Sequence, residues 1–188
     1  GTAVVLTVDS VVESVHFETG IPAWDVGHKA VARGLSDIAA MGGRLICIFA
    51  TIAIPFAWTA EQAEALASGM QEAAAAFDGG LAGGDTTAND DRLFLDIVSL
   101  GELERDTAWL RSGARPGDLL FVTGTLGDSA AALGLLDAGM DNAKESYPAL
   151  FDALLSPTPR LQEVPALQGT KAVTACLDIS HGLLQDAG

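Results

Sequence analysis

Four aspartates in this sequence occupy positions where packing alone does not readily explain an ionised carboxylate. Asp9 and Asp178 each end an apolar, strand-like run. Asp37 lies in a helical segment rich in apolar residues, and Asp85 follows two glycines. A carboxylate in apolar surroundings is costly unless it is paired or binds a metal. Only ten lysine and arginine residues are available for pairing, so convergent oxygen ligands for Mg²⁺ and a phosphate are favoured. Taken singly, each aspartate could equally be a strand-end or helix-cap residue.

Residues 82–87, with the sequence AGGDTT, could serve the same chemistry through their backbone. The two glycines before Asp85 would allow a backbone N–H group to approach an anion closely. We predict that the segment joins a helix to a strand. An ordinary turn is the alternative, because turns also favour Gly and Asp.

Three further features are candidates for phosphate or substrate binding. His16 follows Asp9 on the next strand-like segment, although a single histidine is more often structural. Arg111 could bind phosphate through its planar guanidinium, or it could be an ordinary surface arginine. Residues 124–128 (GTLGD) could bind phosphate at a helix N-terminus or simply form a tight turn. They match neither the P-loop nor the dinucleotide-binding fingerprint.

Alternating strands and helices must position these residues, which indicates an α/β or α+β fold. Apolar periodicity predicts strands at residues 3–9, 11–17, 45–54, 93–102, 119–123 and 172–179. Helices are predicted at 25–41, 59–77 and 128–140, and from 180 onward. Thr59 with Gln62 should form a capping box, and Asp128 should cap its own helix. In the first helix the apolar face is predicted to comprise Val26, Ala30, Leu35, Ile38 and Ala39.

A change in composition divides the chain. Residues 111–118 (RSGARPGD) combine Gly, Pro and charge, as connectors do. We therefore predict a boundary near residue 112, with an N-terminal domain at residues 1–112 and a partial C-terminal α/β domain at 113–188. The sequence begins in a strand and stops in an apparent helix, so we expect a chain truncated at both ends.

Composition excludes several classes of protein. The formal net charge of −15 repels nucleic-acid phosphates, so no nucleic-acid partner is expected. No apolar run is long enough to span a bilayer and no targeting segment is visible, which predicts a cytoplasmic protein without a membrane partner. Cys47 and Cys176 are predicted to be buried, reduced thiols.

Six blocks of this sequence resemble, in the same order, the thiamine-monophosphate kinase family. They are TVDSVVESVHF, HKAVARGLSDIAAMGG, AGGDTT, LRSGARPGD, VTGTLGDSAAALGLL and CLDISHGLLQDAG. The wider superfamily includes aminoimidazole ribonucleotide synthetase, selenophosphate synthetase and hydrogenase-maturation proteins. The resemblance implies ATP-dependent phosphorylation of thiamine monophosphate to thiamine diphosphate, by in-line transfer with several Mg²⁺ ions. It also implies that residues 1–112 form an ATP- and Mg²⁺-binding and dimerisation domain. Two such domains would pair their sheets in a homodimer, with the nucleotide near that interface.

The resemblance further implies roles for individual residues. The implied metal ligands are Thr7, Val8, Asp9, Asp37, Asp85 and Asp178, and of the first two, one would bind through its side chain and one through its backbone. The implied nucleotide contacts are Gly84, Asp85, Arg111 and Ser180, and His16 is implied to contact the substrate. No side chain is implied to act as acid, base or nucleophile, because positioning and metal ions carry phosphoryl transfer.

Four departures from the family pattern leave other functions open. His181 stands where a metal-binding aspartate is expected, and imidazole is a poor Mg²⁺ ligand. Residues 67–69 (ASG) replace an expected aromatic, an upstream GDDAA-type block is absent, and so is the C-terminal third. The alternatives are a non-catalytic homologue that binds nucleotide or thiamine phosphate, and another ATP-dependent synthetase of the superfamily.

Overall fold

The computed structural model describes residues 1–140 and 142–187, and its centre is a four-stranded mixed sheet. In chain order the strands are β1 (Thr2–Val12), β2 (Arg44–Pro55), β3 (Leu81–Asn89) and β4 (Phe94–Glu104). Their order across the sheet is β1-β4-β2-β3. Strand β4 is antiparallel to both β1 and β2, and β3 is parallel to β2. The predicted α/β class with an N-terminal mixed sheet is confirmed.

Helices cover one face of this sheet and form the second half of the described chain. They are α1 (Ala23–Ala40), α2 (Ala60–Ala75), α3 (Asp128–Asp137), α4 (Ala143–Ser146), α5 (Pro148–Leu155), α6 (Val164–Thr170) and α7 (Leu183–Asp186). The five apolar positions predicted for the first helix are all buried in α1. The predicted capping box of Thr59 and Gln62 is present at the start of α2.

Helices α1 and α2 contact each other at the level of their backbones. A Cβ atom at Gly27 would lie 2.2 Å from the carbonyl oxygen of Leu66, and one at Gly69 would lie 2.1 Å from that of Trp24. Neither distance leaves room for a methyl group, so this close approach requires both glycines. Gly69, in the segment where the resemblance implies an aromatic, is therefore a packing residue.

The face of the sheet opposite α1, hereafter the open face, is apolar. Alternate side chains of β1 point to it, and Val4, Leu6 and Val8 are 69%, 60% and 58% exposed. In register with them across β4 lie Glu102, Leu100 and Val98. Phe49 of β2, paired with Val98, extends the apolar surface.

Two predicted strands of the second half are wrong. Residues 119–123 and 172–179 belong to no strand, and Leu119, Leu120 and Phe121 are exposed. Neither segment has a hydrogen-bonded strand partner within residues 1–140 and 142–187. A single extended segment cannot satisfy its own backbone groups, so apolar periodicity alone did not produce a strand.

Four local predictions also need correction. Residues 11–17 are not a separate strand, because β1 continues to Val12 and a turn follows. The AGGDTT segment neither joins a helix to a strand nor forms a turn, because it is itself part of β3. Gly127, not Asp128, is the N-cap of α3, and its φ of 92° suits glycine. The last predicted helix is limited to the four residues of α7.

No helix within the described residues is both long enough and apolar enough to cross a bilayer. Cys47 and Cys176 are both free thiols, as predicted, but each is only half-buried. The division of the chain near residue 112 stays a prediction. Leu161 and Val164, from beyond that point, pack into the main core.

Candidate functional site

Helix α1 lies across the sheet with charged side chains directed towards β1. Thr7 and Asp9 are two residues apart on β1 and therefore share one face of the sheet. Thr7 Oγ1 donates a hydrogen bond of 2.5 Å to Asp37 Oδ2, and Asp9 Oδ1 lies 3.7 Å from Arg33 Nη2. Two predicted aspartates from different elements are thus brought to one place.

The second carboxylate oxygen of Asp9 is buried without a hydrogen-bond partner in the described structure, and so is Ser99 Oγ. Gly34 of α1 lies above both atoms. A Cβ atom at Gly34 would be 2.5 Å from Ser99 Oγ and 3.6 Å from Asp9 Oδ2. A bound cation would satisfy this buried carboxylate oxygen, which lacks a hydrogen-bond partner among the described residues and could act as a metal ligand.

The carboxyl groups of Asp9 and Asp37 are harder to ionise than exposed aspartates. Burial raises the pKa of Asp9, the nearby Arg33 guanidinium opposes this, and the Asp178 carboxylate adds to it. Burial likewise raises the pKa of Asp37, the hydrogen bond from Thr7 lowers it, and Asp178 and Asp9 raise it further. The three aspartates therefore act on one another electrostatically.

Asp178 contacts Arg111 and Ser180, two of the residues that the resemblance implies to be nucleotide contacts. Its Oδ1 lies 3.7 Å from Arg111 Nη2, and its Oδ2 accepts a hydrogen bond from Ser180 Oγ. The Arg111 side chain is 78% exposed, whereas that of Asp178 is 11% exposed. Arg111 thus stands at the solvent side of the aspartate group, where it could contact a phosphate.

His181 is occupied elsewhere. Its Nδ1 lies 3.3 Å from Asp186 Oδ1, and Asp186 Oδ2 accepts the backbone N–H groups of Ser180, His181 and Gly182. The carboxylate of Asp186 therefore holds this loop, and the His181 ring is directed to Asp186.

His16 lies in the turn after β1. Its Nδ1 accepts the backbone N–H of Val12 at 3.1 Å, which fixes the ring and leaves Nε2 as the donor. Burial lowers the pKa of His16, and the charge of Arg33 lowers it further. The ring is therefore neutral at pH 7.

Asp85 and Gly84 lie apart from this group. The register across the sheet joins Asp85 to Thr51, Thr51 to Asp96, and Asp96 to Ser10, so Asp85 shares the open face with Ser10. Strand β3 is three strands from β1, on the order of 14 Å. A Cβ atom at Gly84 would lie 1.8 Å from the Ala50 carbonyl oxygen, so close strand packing explains this glycine. Val8, another predicted ligand, directs its side chain to the open face.

The residues present suit Mg²⁺ better than a metal held by many side chains. Within residues 1–140 and 142–187, no three His, Cys, Asp or Glu side chains are arranged as a metal-binding group. Mg²⁺, however, is usually held by one or two carboxylates together with substrate phosphates and water. Asp9 and Asp37, with the unsatisfied Asp9 Oδ2, fit that requirement.

Sequence reasoning missed two cations of α1. Asp25, Lys29, Arg33 and Asp37 recur every four residues, which places them on one face of the helix. The sequence predicted the apolar positions of this helix and Asp37, but not Lys29 and Arg33, although the period of four is visible in the sequence. Lys29 and His16 line a cavity of about 250 Å³ beside α3 and α5.

This chain is similar in sequence and in structure to known proteins. Residues 1–103 match the family described as AIR synthase related protein, N-terminal domain. The chain is 36% identical to the thiamine-monophosphate kinase of Bacillus subtilis (strain 168), over 99% of this chain and 58% of that protein. It is similar to the crystal structure of thiamine-monophosphate kinase from Stenotrophomonas maltophilia K279a, with a TM-score of 0.91 and 36% identity, over 100% of this chain and 59% of that one.

A third similar structure is described with ligands. It is AaThiL complexed with AMPPCP and TMP, with a TM-score of 0.91 and 33% identity, over 99% of this chain and 59% of that one. This chain therefore spans somewhat more than half the length of these relatives.

Proposed function

Because this chain belongs to the family of AIR synthase related proteins through its N-terminal domain, we propose that it serves an ATP-dependent phosphorylation of thiamine monophosphate to thiamine diphosphate. One structural observation carries the proposal: Asp9 Oδ2 is buried and unsatisfied beside Asp37. The similarity to a structure complexed with AMPPCP supports ATP as the phosphoryl donor.

Under this proposal, Asp9 and Asp37 would hold Mg²⁺ together with the substrate phosphates, with Asp178 near both carboxylates, and the ion would supply charge neutralisation at the transferring phosphoryl group. Thr7 keeps Asp37 oriented by its hydrogen bond, and Val8, whose side chain is on the open face, could contribute only a backbone atom. Arg111 and Ser180, both bonded to Asp178, would contact the nucleotide phosphates from the solvent side. These residues bind and orient the reactants, and none needs to transfer a proton.

His16 is proposed to contact the acceptor phosphate. Its neutral ring, fixed by the N–H of Val12, presents an Nε2–H donor. A neutral N–H donor can bind a phosphate oxygen without a change in protonation. The acceptor phosphate therefore keeps the negative charge that makes its oxygen nucleophilic.

The position of Asp85 suggests a site completed by a second copy of this chain. Asp85 is exposed on the open face, which also presents Val4, Leu6 and Val8. A homodimer formed through two open faces would bury this apolar surface. It would also bring Asp85 and Gly84 of one copy towards the β1 edge of the other, near the bound ATP.

The activity is tested with the full-length protein by a coupled assay of ADP release, with thiamine monophosphate and Mg²⁺. Steady ADP release that requires both is expected. No turnover under these conditions would refute the kinase proposal. Asp85→Asn should weaken Mg²⁺–ATP binding, and the exposed Asp91→Asn serves as the matched control.

The two-copy site is tested by complementation. Asp9→Asn and Asp85→Asn homodimers should each be inactive. In a re-equilibrated mixture, half of the dimers are heterodimers, and each has one site with both aspartates intact. About one quarter of wild-type activity should therefore return. A mixture as inactive as its components would mean that both aspartates act from the same copy.

One observation favours a second candidate, a homologue that binds nucleotide without catalysis. His181 is held by Asp186 and does not approach Asp178. Tight ATP binding without turnover, in both the wild type and His181→Asp, would support the binder. Turnover gained only in His181→Asp would instead indicate a kinase that has lost one metal ligand. Turnover with another phosphate acceptor would indicate a synthetase of the same superfamily.

A further inference from the structure

Lys29 is a half-buried lysine of α1. Within residues 1–140 and 142–187, no carboxylate oxygen lies within 4.0 Å of its Nζ. Asp25, one turn earlier on α1, is instead 4.0 Å from Lys144 and accepts a hydrogen bond from Ser156 Oγ. Lysines are seldom taken from water without a partner, so Lys29 suits an anion that is supplied from outside the chain.

Arg33 increases the positive charge at this place. It lies one turn beyond Lys29 on the same face of α1, and the two like charges repel each other. Burial lowers the pKa of Lys29, and the charge of Arg33 lowers it further. Arg33 reaches Asp9 at 3.7 Å, so the two cations lead from the cavity to the aspartate group. A bound dianion would relieve their repulsion.

The cavity beside Lys29 has one polar end and one apolar wall. Its volume is about 250 Å³, and His16 and Lys29 share its lining with the carboxylates of Glu18 and Asp25. Four leucines of α3 and α5 form the opposite wall, namely Leu133, Leu136, Leu154 and Leu155. Lys29 suits the phosphate of a phosphate monoester, and the leucines suit an apolar surface of its organic part. Glu18 and Asp25, elsewhere in the lining, suit a positive charge on that organic part.

We propose that Lys29 and Arg33 bind the phosphate of the acceptor substrate, while its organic part lies against the leucines of α3 and α5. This inference rests on the proposed kinase function and assigns the acceptor a place within it. The phosphate would lie between Lys29 and the aspartates, beside His16. The Lys29 ammonium and the Arg33 guanidinium, both in contact with one phosphate, would hold it in place for attack on the phosphoryl donor ATP.

The test compares thiamine monophosphate with thiamine, which differ only in the phosphate. Calorimetric titration of the full-length protein, without ATP, should show tighter binding of the phosphorylated probe. Lys29→Met should lose about 10- to 100-fold in affinity for thiamine monophosphate and little for thiamine. Lys29→Arg should retain most of the preference. Lys144→Met removes a 61%-exposed lysine at the edge of the same region and should behave as wild type.

Each outcome separates this inference from the kinase proposal. Lys29→Met with an unchanged phosphate preference, or a wild type without any preference, would overturn the inference. Arg33→Gln, with its fold checked by circular dichroism, gives a second variant should Lys29→Met fail to fold, and it should lose the preference as well. Preferential binding without ADP release would refute the kinase proposal alone. ADP release with an unchanged KM for the acceptor in both variants would refute only the subsite.

Discussion

Replacing Asp9 with asparagine should make the metal-free protein more stable while abolishing metal binding. In the folded state Asp9 Oδ2 is buried and unsatisfied, and burial raises the pKa of this carboxyl above its ordinary value of 3.8. Because its pKa is raised in the folded state, the protonated Asp9 carboxyl contributes fully to stability below about pH 3.8, its ordinary pKa. This contribution is lost as the pH rises through the folded-state pKa. At pH 7 the ionised carboxylate therefore destabilises the fold, and the neutral amide removes that cost.

The size of the effect follows from two opposing contributions. An unsatisfied buried polar group costs about 1–3 kcal/mol, and more when it is charged. The substitution also removes the ion pair with Arg33, whose side chains are 33% and 21% exposed, and such pairs contribute about 0–1 kcal/mol. The net stabilisation should be about 1–2 kcal/mol, equivalent to a rise in Tm of roughly 2–8 °C for a domain of this size.

The assay is thermal unfolding at pH 7 and at pH 3.8, with and without millimolar Mg²⁺. Without metal, Asp9→Asn should unfold at a higher temperature than wild type at pH 7, and the difference should shrink at pH 3.8, the ordinary pKa of the carboxyl group. Added Mg²⁺ should raise the Tm of the wild type only, because binding to the native state stabilises it by mass action. Asp91→Asn, at an exposed carboxylate, should follow the wild type throughout. A variant less stable than wild type without metal, or equally stabilised by Mg²⁺, would refute the reasoning.

Three further substitutions test other parts of the structure. Leu6→Asp on the open face should convert the proposed dimer to monomer in analytical ultracentrifugation, and an unchanged dimer would contradict that interface. Gly69→Ala should destabilise the protein by about 2–4 kcal/mol in urea unfolding, because its methyl group would overlap a carbonyl oxygen of α1, whereas exposed Ser68→Ala should be neutral. Gly34→Ala should fill the space beside Asp9 and weaken Mg²⁺ binding at least tenfold by calorimetry, and unchanged affinity would place the metal elsewhere.

The first half of the fold could be predicted because local signals and tertiary packing agree there. The apolar period of α1 and the capping box at Thr59 each lead to the element that forms. The second half could not be predicted in the same way. Residues 119–123 and 172–179 have the apolar character of strands, but strand formation depends on a partner strand, which periodicity does not reveal.

The candidate site shows a similar division. Asp9, Asp37 and Asp178 could be grouped from the cost of burying charge, and the structure brings them together. The position of Asp85 could not be predicted, because it depends on the order of strands in the sheet. The charged period of α1 that contains Lys29 and Arg33 is visible in the sequence, but the cavity that Lys29 lines depends on the packing of α3 and α5, which periodicity does not reveal.

The pairing of β1 with β4 has a consequence for synthesis of the protein on the ribosome. Thr2 pairs with Glu104, so among the described residues β1 has no strand neighbour until β4 has been made. At about 5–20 residues per second, this delay is on the order of 5–20 s. The parallel unit of β2, α2 and β3 is complete earlier, while the apolar β1 is still unpaired. A nascent chain with such a strand is a target for chaperones, and slowing translation between β1 and β4 should increase its aggregation.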